Sequence, residues 1–386
     1  MGIRDAAFEV AEYRSRLAQV RAAMDTAGLT SLLITDPSNM CWLTGYDGWS
    51  FYVHQGVVVT HDADPLWWGR MQDVAGALRT AWMAPDRAVG YGEHYIQTPD
   101  RHPMEDLVPH LSGRIGVELD NYYYSAKAHA VLDHAGLDLV DATGLVNWCR
   151  AVKSDAEIAF MRSAARISEA VVDGMAERIE PGVPKNEVVA DAFRDAIRGV
   201  DGAWGDYPAI VPLVPSGADA AAPHLTWDGR PFERGEATTI EIAGCYRRYH
   251  VPLCRSVFLG EPPDEMKRAE GALIEGLEAG LDAARAGNHT RDVAAALNRA
   301  LNKVGIERTA RCGYPIGLSY PPDWGERTMS LRAEDETILQ PNMTFHFMPG
   351  LWMDGWGLAI TESIRITENG SAECFCDRPR AMIVKP

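Results

Sequence analysis

The chain has 386 residues, with 37 Lys and Arg against 54 Asp and Glu, and a formal net charge of −17 at pH 7. This length allows two domains, and the acidic balance excludes nucleic acid and anionic membranes as expected partners because both repel a negatively charged surface. The 7 cysteines are scattered without paired metal-site spacing, and no apolar run approaches the roughly 20 residues that span a bilayer, so we expect a cytoplasmic protein.

The first part of the chain alternates between helix and strand patterns. Apolar residues recur at helical spacing from about Phe8 to Leu29. Helical stretches separate three short apolar runs that are typical of buried strands, at residues 31–35, 56–60 and 115–119. This alternation predicts an α/β domain over residues 1–150.

A second domain begins near Arg150, where the pattern changes. Ser154 and Glu157 have the spacing of a capping box, and they precede a helical stripe of apolar residues that Pro181 ends. We predict that this domain covers residues 151–386.

The second domain shows an internal echo. In each half a long helix precedes a shorter one, and strands follow. The predicted elements lie at about 155–179, 186–198 and 238–259, and again at about 264–286, 290–304 and 343–367. Short matches also arise by chance, but the repeated order of elements favours a true repeat with a pseudo-two-fold sheet.

Residues 239–260 form a predicted hairpin with a polar turn between two β-rich runs. This segment resembles a signature of the pita-bread family, which includes methionine and Xaa-Pro aminopeptidases and creatinase. In that family two aspartates on such a hairpin help to hold a dinuclear metal centre. The corresponding places here are Glu241 and Pro252.

The other three metal positions of the family also fall on this chain. They correspond to Tyr314 in the segment 313–318, Met348 in 343–350 and Glu362 in 360–366. Two carboxylates cannot replace a five-ligand site for two divalent ions, because hard cations need several oxygen or imidazole donors at fixed geometry. The resemblance therefore implies an enzyme with no metal and no other cofactor.

His224, in the segment 223–226, matches the position of an active-site histidine in this family, and creatinase itself works without metal. Its ordinary pKa near neutrality suits proton transfer, although a lone histidine is more often structural. Glu241 and Glu362 are expected on neighbouring strands, where two carboxylates in one cavity can divide acid and base roles. Either glutamate alone would be read as an ordinary strand residue.

Several further sequence segments closely resemble those of the ectoine hydrolases, a metal-free branch of the pita-bread family. These segments are residues 38–55, 206–209, 223–228 and 320–327. The resemblance covers nearly the whole chain, with minor departures such as Cys254 where serine is expected. It implies an α/β N-terminal domain followed by an α+β pita-bread catalytic domain of the creatinase and methionine aminopeptidase type. It also implies hydrolysis of the cyclic amidine ectoine to N-acetyl-2,4-diaminobutyrate.

The same resemblance implies roles for individual residues. His224, Glu241 and Glu362 are the expected catalytic residues, and Tyr314 is expected to hydrogen-bond the tetrahedral adduct. Aromatic side chains are expected to surround the cationic ring, and an arginine to bind the substrate carboxylate. The expected substrate-binding residues are Tyr314, Trp49, Tyr52, His54, Arg255, Asp323, Trp324, Arg327 and His346. The alternative for Arg255 is a strand residue paired with a neighbouring acid.

Creatinase-like enzymes are homodimers in which the N-terminal domain of one subunit closes over the active site of the other. The resemblance therefore implies a homodimer with a small-molecule substrate, in which residues 49–54 act in the partner's site. Three alternatives stay open: a creatinase-type amidine or guanidine hydrolase, an Xaa-Pro peptidase with an altered metal site, and a non-catalytic binding module.

Overall fold

The computed structural model describes residues 6–386, and the chain divides into two compact units, Met1–Arg150 and Ala151–Pro386. Within the described range, no helix combines the length and the apolar character needed to cross a membrane. Each unit has its own sheets and its own hydrophobic core.

The first unit contains a six-stranded mixed sheet in the order β4-β3-β2-β1-β5-β6. Strand β1 pairs antiparallel with β2 and parallel with β5, and the outer pairs β3 with β4 and β5 with β6 are parallel. The elements are α1 Val10–Ala27, β1 Ser31–Ile34, α2 Pro37–Thr44, β2 Gly56–Thr60, β3 Leu66–Arg70, α3 Val74–Thr80, β4 Ala88–Tyr91, α4 Met104–Leu107, β5 Arg114–Val117, α5 Ala126–His134, β6 Asp138–Asp141 and α6 Leu145–Cys149.

Local sequence explains two boundaries in this unit. Helix α1 ends at Ala27, because Gly28 adopts the left-handed conformation at φ 64° that glycine accepts without steric cost. Helix α2 overlaps the first part of the stretch at residues 38–55. Asp36 caps it by accepting from the backbone N–H groups of Ser38 and Asn39, and Pro37 fits the first helical turn.

The second unit carries the two halves that the echo predicts. Its elements are α7 Asp155–Arg178, α8 Lys185–Arg198, β7 Ala237–Tyr246, β8 Tyr249–Leu259, α9 Asp264–Ala283, α10 Thr290–Lys303, β9 Gly313–Pro315, β10 Thr344–Phe347, β11 Gly350–Met353, β12 Trp356–Ala359, β13 Glu362–Arg365, β14 Glu373–Cys374 and β15 Ile383–Lys385. Both bonds of the Ser154 and Glu157 capping box are present, so that prediction is confirmed.

The sheets of this unit have the orders β15-β8-β7, β14-β13-β10-β9 and β11-β12. Helices α9 and α10 bury Leu273, Leu277 and Leu297 against Phe345 and Phe347 of β10. Burying each such side chain contributes about 1.5–3 kcal/mol relative to leaving it exposed. This core holds the strands that carry the candidate site.

The turn between β7 and β8 is unusual in its residues. Arg247 and Arg248 both have positive φ, at 48° and 69°, in a two-residue hairpin turn where Asn-Gly is the usual choice. Arg248 is held by Asp206, which accepts its Nη2 at 2.5 Å and its backbone N–H at 3.1 Å, and by the ring of Tyr207. These contacts stabilise the turn and so fix the register of β7.

The expectation that Glu241 and Glu362 lie on neighbouring strands is wrong. Strand β7 pairs with β8, whereas β13 pairs with β10 and β14. Strand β8 contacts both sides, because Cys254 lies opposite Glu241 while its backbone N–H donates to Thr361 Oγ1 at 2.8 Å. One strand therefore separates the two carboxylates.

Candidate active site

Glu241 lies near the middle of β7, and its backbone exchanges two hydrogen bonds of 3.0 Å with Leu213. Its side chain is 15% exposed, and burial raises its pKa to about 7. Within residues 6–386, no group donates a hydrogen bond to this carboxylate. Glu241 is therefore able to bind a cationic ligand or to accept a proton near neutral pH.

Tyr314, His346 and Trp324 form a hydrogen-bonded group beside Glu241. The pairing of β9 with β10 places Tyr314 directly opposite His346. Trp324 Nε1–H donates to Tyr314 Oη at 2.8 Å, and His346 Nδ1 lies 2.9 Å from the same oxygen. His346 Nδ1 is also 4.0 Å from Glu241 Oε1. The structure thus brings four of the predicted site residues together.

Burial and nearby charges fix the protonation of this group. Burial, together with the charge of Arg311, lowers the pKa of His346 to about 3, so its imidazole is neutral at neutral pH. Burial and the charge of Glu241 raise the pKa of Tyr314 well above its usual range. Arg311 lies over the Tyr314 ring, 4.7 Å from its centroid. Tyr314 keeps its proton, and Glu241 is the member of this group that exchanges one.

The residues at the family's metal positions do not fit a pair of divalent ions. Pro252 and Met348 have no side-chain oxygen that could bind a hard metal ion, and the Tyr314 oxygen already accepts a hydrogen bond from Trp324. Glu362 Oε1 accepts from Arg255 at 2.8 Å and lies 3.4 Å from Arg380 Nε. The described part of the chain contains no group of three or more His, Cys, Asp or Glu that could hold a metal ion.

Arg255 corrects one expectation directly. Its five N–H groups are all used within the protein: they donate to Glu362 Oε1 and to the backbone oxygens of Cys254, Thr361, Arg378 and Pro379. No donor is left for a substrate carboxylate, so the alternative of a strand arginine paired with a neighbouring acid is the observed one. The Arg255–Glu362 pair is fully buried and fastens the C-terminal segment to β8 and β13.

His346 and Trp324 also differ from their expected substrate-binding roles. Both side chains are fully buried. The two ring nitrogens of His346 are engaged by Tyr314 Oη and by Thr361 Oγ1 at 2.8 Å, and the indole N–H of Trp324 is engaged by Tyr314. Both side chains hold Tyr314 in place through hydrogen bonds to its hydroxyl group, and neither has a polar atom left for a ligand.

Three predicted residues lie on loops of the same unit. His224 is exposed and makes no hydrogen bond to the group around Glu241. Asp323 is half-buried, and its Oδ1 accepts from the backbone N–H of Gly325 at 2.9 Å. Arg327 is exposed, with a left-handed backbone at φ 56°. The structure leaves their predicted roles as predictions.

The aromatic residues expected to act across a dimer lie in the first unit. Trp49 is 57% exposed and Tyr52 is 64% exposed. The His54 and His102 rings are in contact at a tilt of 50°, with centroids 4.5 Å apart, and burial with the charge of His102 lowers the pKa of His54 to about 4. A cavity of about 190 Å³ lies beside Tyr52, His54 and His102.

Two residues of the site, Arg311 and Thr361, were not predicted from the sequence. Arg311 sets the charge environment of His346, and Thr361 bonds to its far ring nitrogen. Thr361 immediately precedes Glu362, so a search of the neighbours of each family position would have included it. Arg311 lies three residues before Tyr314 without any local signal, because its contact depends on how β9 meets the preceding loop.

This geometry is that of a pita-bread catalytic unit with an altered centre, and comparison with known families agrees. Residues 159–368 match metallopeptidase family M24, and residues 16–152 match the creatinase/prolidase N-terminal domain. The chain belongs to the M24 family.

Among characterised relatives, the chain is 55% identical over 395 residues to ectoine hydrolase of Halomonas elongata, a match that covers 97% of each protein. Solved structures share its fold, and two of them serve as examples. The Xaa-Pro dipeptidase of Bacillus anthracis has a TM-score of 0.82 at 21% identity, covering 97% of this chain and 100% of that one. Dipeptidase PepE of Mycobacterium ulcerans has a TM-score of 0.80 at 25% identity, covering 98% and 99%. The predicted fold class is confirmed.

Proposed function

We propose that this protein is a hydrolase that converts ectoine to N-acetyl-2,4-diaminobutyrate without a metal ion, using Glu241 as its working carboxylate. The 55% identity to the Halomonas enzyme supports the substrate. The observation that supports the mechanism is Glu241 itself, a buried carboxylate with a pKa of about 7 that accepts no hydrogen bond at its side chain from the described residues. Such a group can bind an amidinium cation and can also move a proton.

The chemistry needs one water and no redox step. Ectoine carries an amidinium ring and a carboxylate, and its amidine carbon is electrophilic. In one route Glu241 removes a proton from a water that attacks this carbon. The C–N bond to one ring nitrogen then breaks, the carbon keeps the oxygen as an amide carbonyl, and the proton moves from Glu241 to the departing amine.

In a second route the Glu241 carboxylate attacks the amidine carbon itself. The C–N bond to one ring nitrogen then breaks, and this nitrogen leaves as an amine with the proton given up by the other ring nitrogen. The remaining carbon is bound to Glu241 as an ester of imidate type, which water later hydrolyses to the amide product and free Glu241. A single turnover in ¹⁸O-labelled water separates the two routes. Direct attack by water gives a product that carries the label. An ester intermediate gives an unlabelled first product when water attacks the Glu241 carbonyl carbon.

The structure supports a different role for Glu362 from the one expected. Because its charge is paired with Arg255 in a fully buried contact, we propose that it holds β13 and the C-terminal segment in place. His224 remains a proposed second proton carrier, and its exposed loop leaves the imidazole accessible. We propose Arg327 as the group that binds the substrate carboxylate, and Asp323 as a further substrate-binding residue that accepts from the N–H groups of the substrate.

The test of this function is turnover of ectoine by matched variants. Glu241→Gln is expected to fold and to lose at least about 10²-fold in kcat, since it cannot accept a proton. Glu334→Gln removes the same charge at an exposed position and serves as the control. Equal turnover by Glu241→Gln and wild type would refute the mechanism, and turnover of creatine in place of ectoine would favour the creatinase-type alternative.

We also propose that the protein acts in the cytoplasm as a homodimer in which Trp49, Tyr52 and His54 complete the partner's site. The exposure of Trp49 and Tyr52 supports this. Mixing unfolded Trp49→Ala and Glu241→Gln chains and refolding them together tests it. If the sites are shared between subunits, the mixed dimer regains one intact site and therefore turnover. If each chain acts alone, the mixture is as inactive as the two variants.

A further inference from the structure

A continuous hydrogen-bond chain runs behind Glu241, and the direction of each bond can be worked out from its donors. It connects the backbone N–H of Cys254 to Thr361 Oγ1 at 2.8 Å, Thr361 Oγ1 to His346 Nε2 at 2.8 Å, and His346 Nδ1 to Tyr314 Oη at 2.9 Å. Trp324 Nε1–H donates to the same Tyr314 oxygen at 2.8 Å.

The two ends of this chain have fixed directions. A backbone N–H and an indole N–H can only donate, so Thr361 Oγ1 accepts from Cys254 and Tyr314 Oη accepts from Trp324. His346 is neutral in its buried position, so one ring nitrogen carries the proton and the other accepts. Only two arrangements of the two middle bonds are then possible.

In the first arrangement Thr361 donates its hydroxyl proton to His346 Nε2, and His346 Nδ1–H donates to Tyr314 Oη. Every polar atom of Thr361 and His346 is then satisfied, and the Tyr314 proton is the one left to donate. In the second, Tyr314 donates to Nδ1 and Nε2–H donates to Thr361. The hydroxyl proton of Thr361 is then left without an acceptor among the described residues, at a fully buried position.

An unsatisfied buried donor costs the full desolvation penalty of that group, so the first arrangement is favoured. It leaves the Tyr314 proton on the side of Glu241, whose carboxylate lies 4.0 Å from His346 Nδ1 and is 15% exposed. The donor left over in the first arrangement therefore belongs to Tyr314, which is 8% exposed and lies close to the charge of Glu241, whereas the donor left over in the second belongs to Thr361, which has no exposed surface.

We infer that Thr361 and His346 are positioning residues that fix Tyr314 as a hydrogen-bond donor toward the reacting amidine carbon. This inference rests on the proposed function for its substrate. Because Trp324 and His346 occupy both lone pairs of the Tyr314 oxygen, Tyr314 cannot accept from an amidinium N–H. It can donate to the oxygen that joins the amidine carbon in the tetrahedral adduct, while the ring N–H groups face Glu241.

The direct test is the tautomer of His346 in the substrate-free protein. Protein labelled with ¹⁵N-histidine is examined by long-range ¹H–¹⁵N correlation, and His346→Gln assigns the signal by its loss. The arrangement inferred here puts the proton on Nδ1, with Nε2 unprotonated, near neutral pH. A proton on Nε2 would overturn the inference. This experiment needs no ectoine, so it separates the failure of this inference from a failure of the proposed function.

The second test uses Thr361→Ser, which keeps the hydroxyl, against Thr361→Val, which has the same shape without it. Thr361→Ser should keep the Nδ1 proton and the wild-type kcat. Thr361→Val should lose the Nδ1 preference and lower kcat about 10²-fold with little change in KM, as removal of one transition-state donor does.

Tyr314→Phe gives a third reading that does not depend on how Thr361→Val folds. It removes the donor itself, so it should lower kcat to a similar extent and should add little to the effect of Thr361→Val in the double variant. Unchanged kcat in Tyr314→Phe, or fully additive losses in the double variant, would contradict a role through Tyr314.

Discussion

Glu241→Gln should stabilise the protein at alkaline pH while it removes activity. Burial raises the pKa of Glu241 from 4.5 to about 7. Between these values the unfolded chain releases the proton of Glu241 and the folded protein keeps it. The folded state therefore loses stability, relative to the unfolded chain, as the pH rises through this window, and the loss is complete above pH 7.

The interval from 4.5 to about 7 corresponds to about 3 kcal/mol of lost stability. Glutamine has nearly the same shape and no charge to desolvate, so it avoids this cost. The stability advantage of Glu241→Gln over wild type should grow by about 2.5 kcal/mol between about pH 5 and about pH 8. A constant difference from altered packing would not change with pH.

The measurement is urea unfolding followed by circular dichroism for wild type, Glu241→Gln and Glu334→Gln at a series of pH values. Glu334→Gln corrects for the change in net charge, because that residue is exposed in the same unit. An advantage of Glu241→Gln that grows from acid to alkaline pH supports a buried, ionising carboxylate. A flat or reversed difference would show that Glu241 is not held at a raised pKa.

Two further predictions concern activity and packing. The value of kcat/KM for ectoine should rise with pH to a plateau above a midpoint near 7, because Glu241 must be ionised to act as base or nucleophile, and a profile flat between about pH 5 and 8 would count against it. Lys153→Met should lower the free energy of unfolding in urea by about 3–5 kcal/mol, because it removes the cation from a fully buried ion pair with Glu326 of 2.6 Å. Adding Glu326→Leu to the same chain should recover much of this loss.

Local signals in the sequence predict most of the fold of the second unit. The capping box at Ser154 and the apolar stripe after it locate α7 at its observed start, and the β-rich runs around a polar turn locate the β7–β8 hairpin. The N-terminal sheet is harder to predict, because its central strand β1 pairs in parallel with β5, which lies far along the chain, with Ser31 opposite Ile115. A helical stretch between the first two predicted strands agrees with α2, whose start is set by Asp36 and Pro37.

The residues of the site could likewise be predicted from the sequence only in part. The resemblance already identifies Glu241, Tyr314, Trp324 and His346, and the register of β9 against β10 places His346 directly opposite Tyr314. The role of Arg255 could not be predicted, because an arginine on a strand can bind a ligand or be fully used by the protein. Only the three-dimensional structure shows that all five of its donors are occupied. Sequence gives residue types at positions, whereas saturation of hydrogen bonds depends on every neighbour at once.

The decisive experiment on metal-independent catalysis is hydrolysis of ectoine by protein freed of metal. The protein is treated with chelator, its metal content is measured, and ectoine is added in metal-free buffer with mass spectrometry of the product. We predict a product one water heavier than ectoine, formed at the same rate as before chelation. The Glu241→Gln variant, assayed in parallel, should form none. Turnover that disappears on chelation and returns with added Mn²⁺ or Zn²⁺ would contradict metal-independent catalysis.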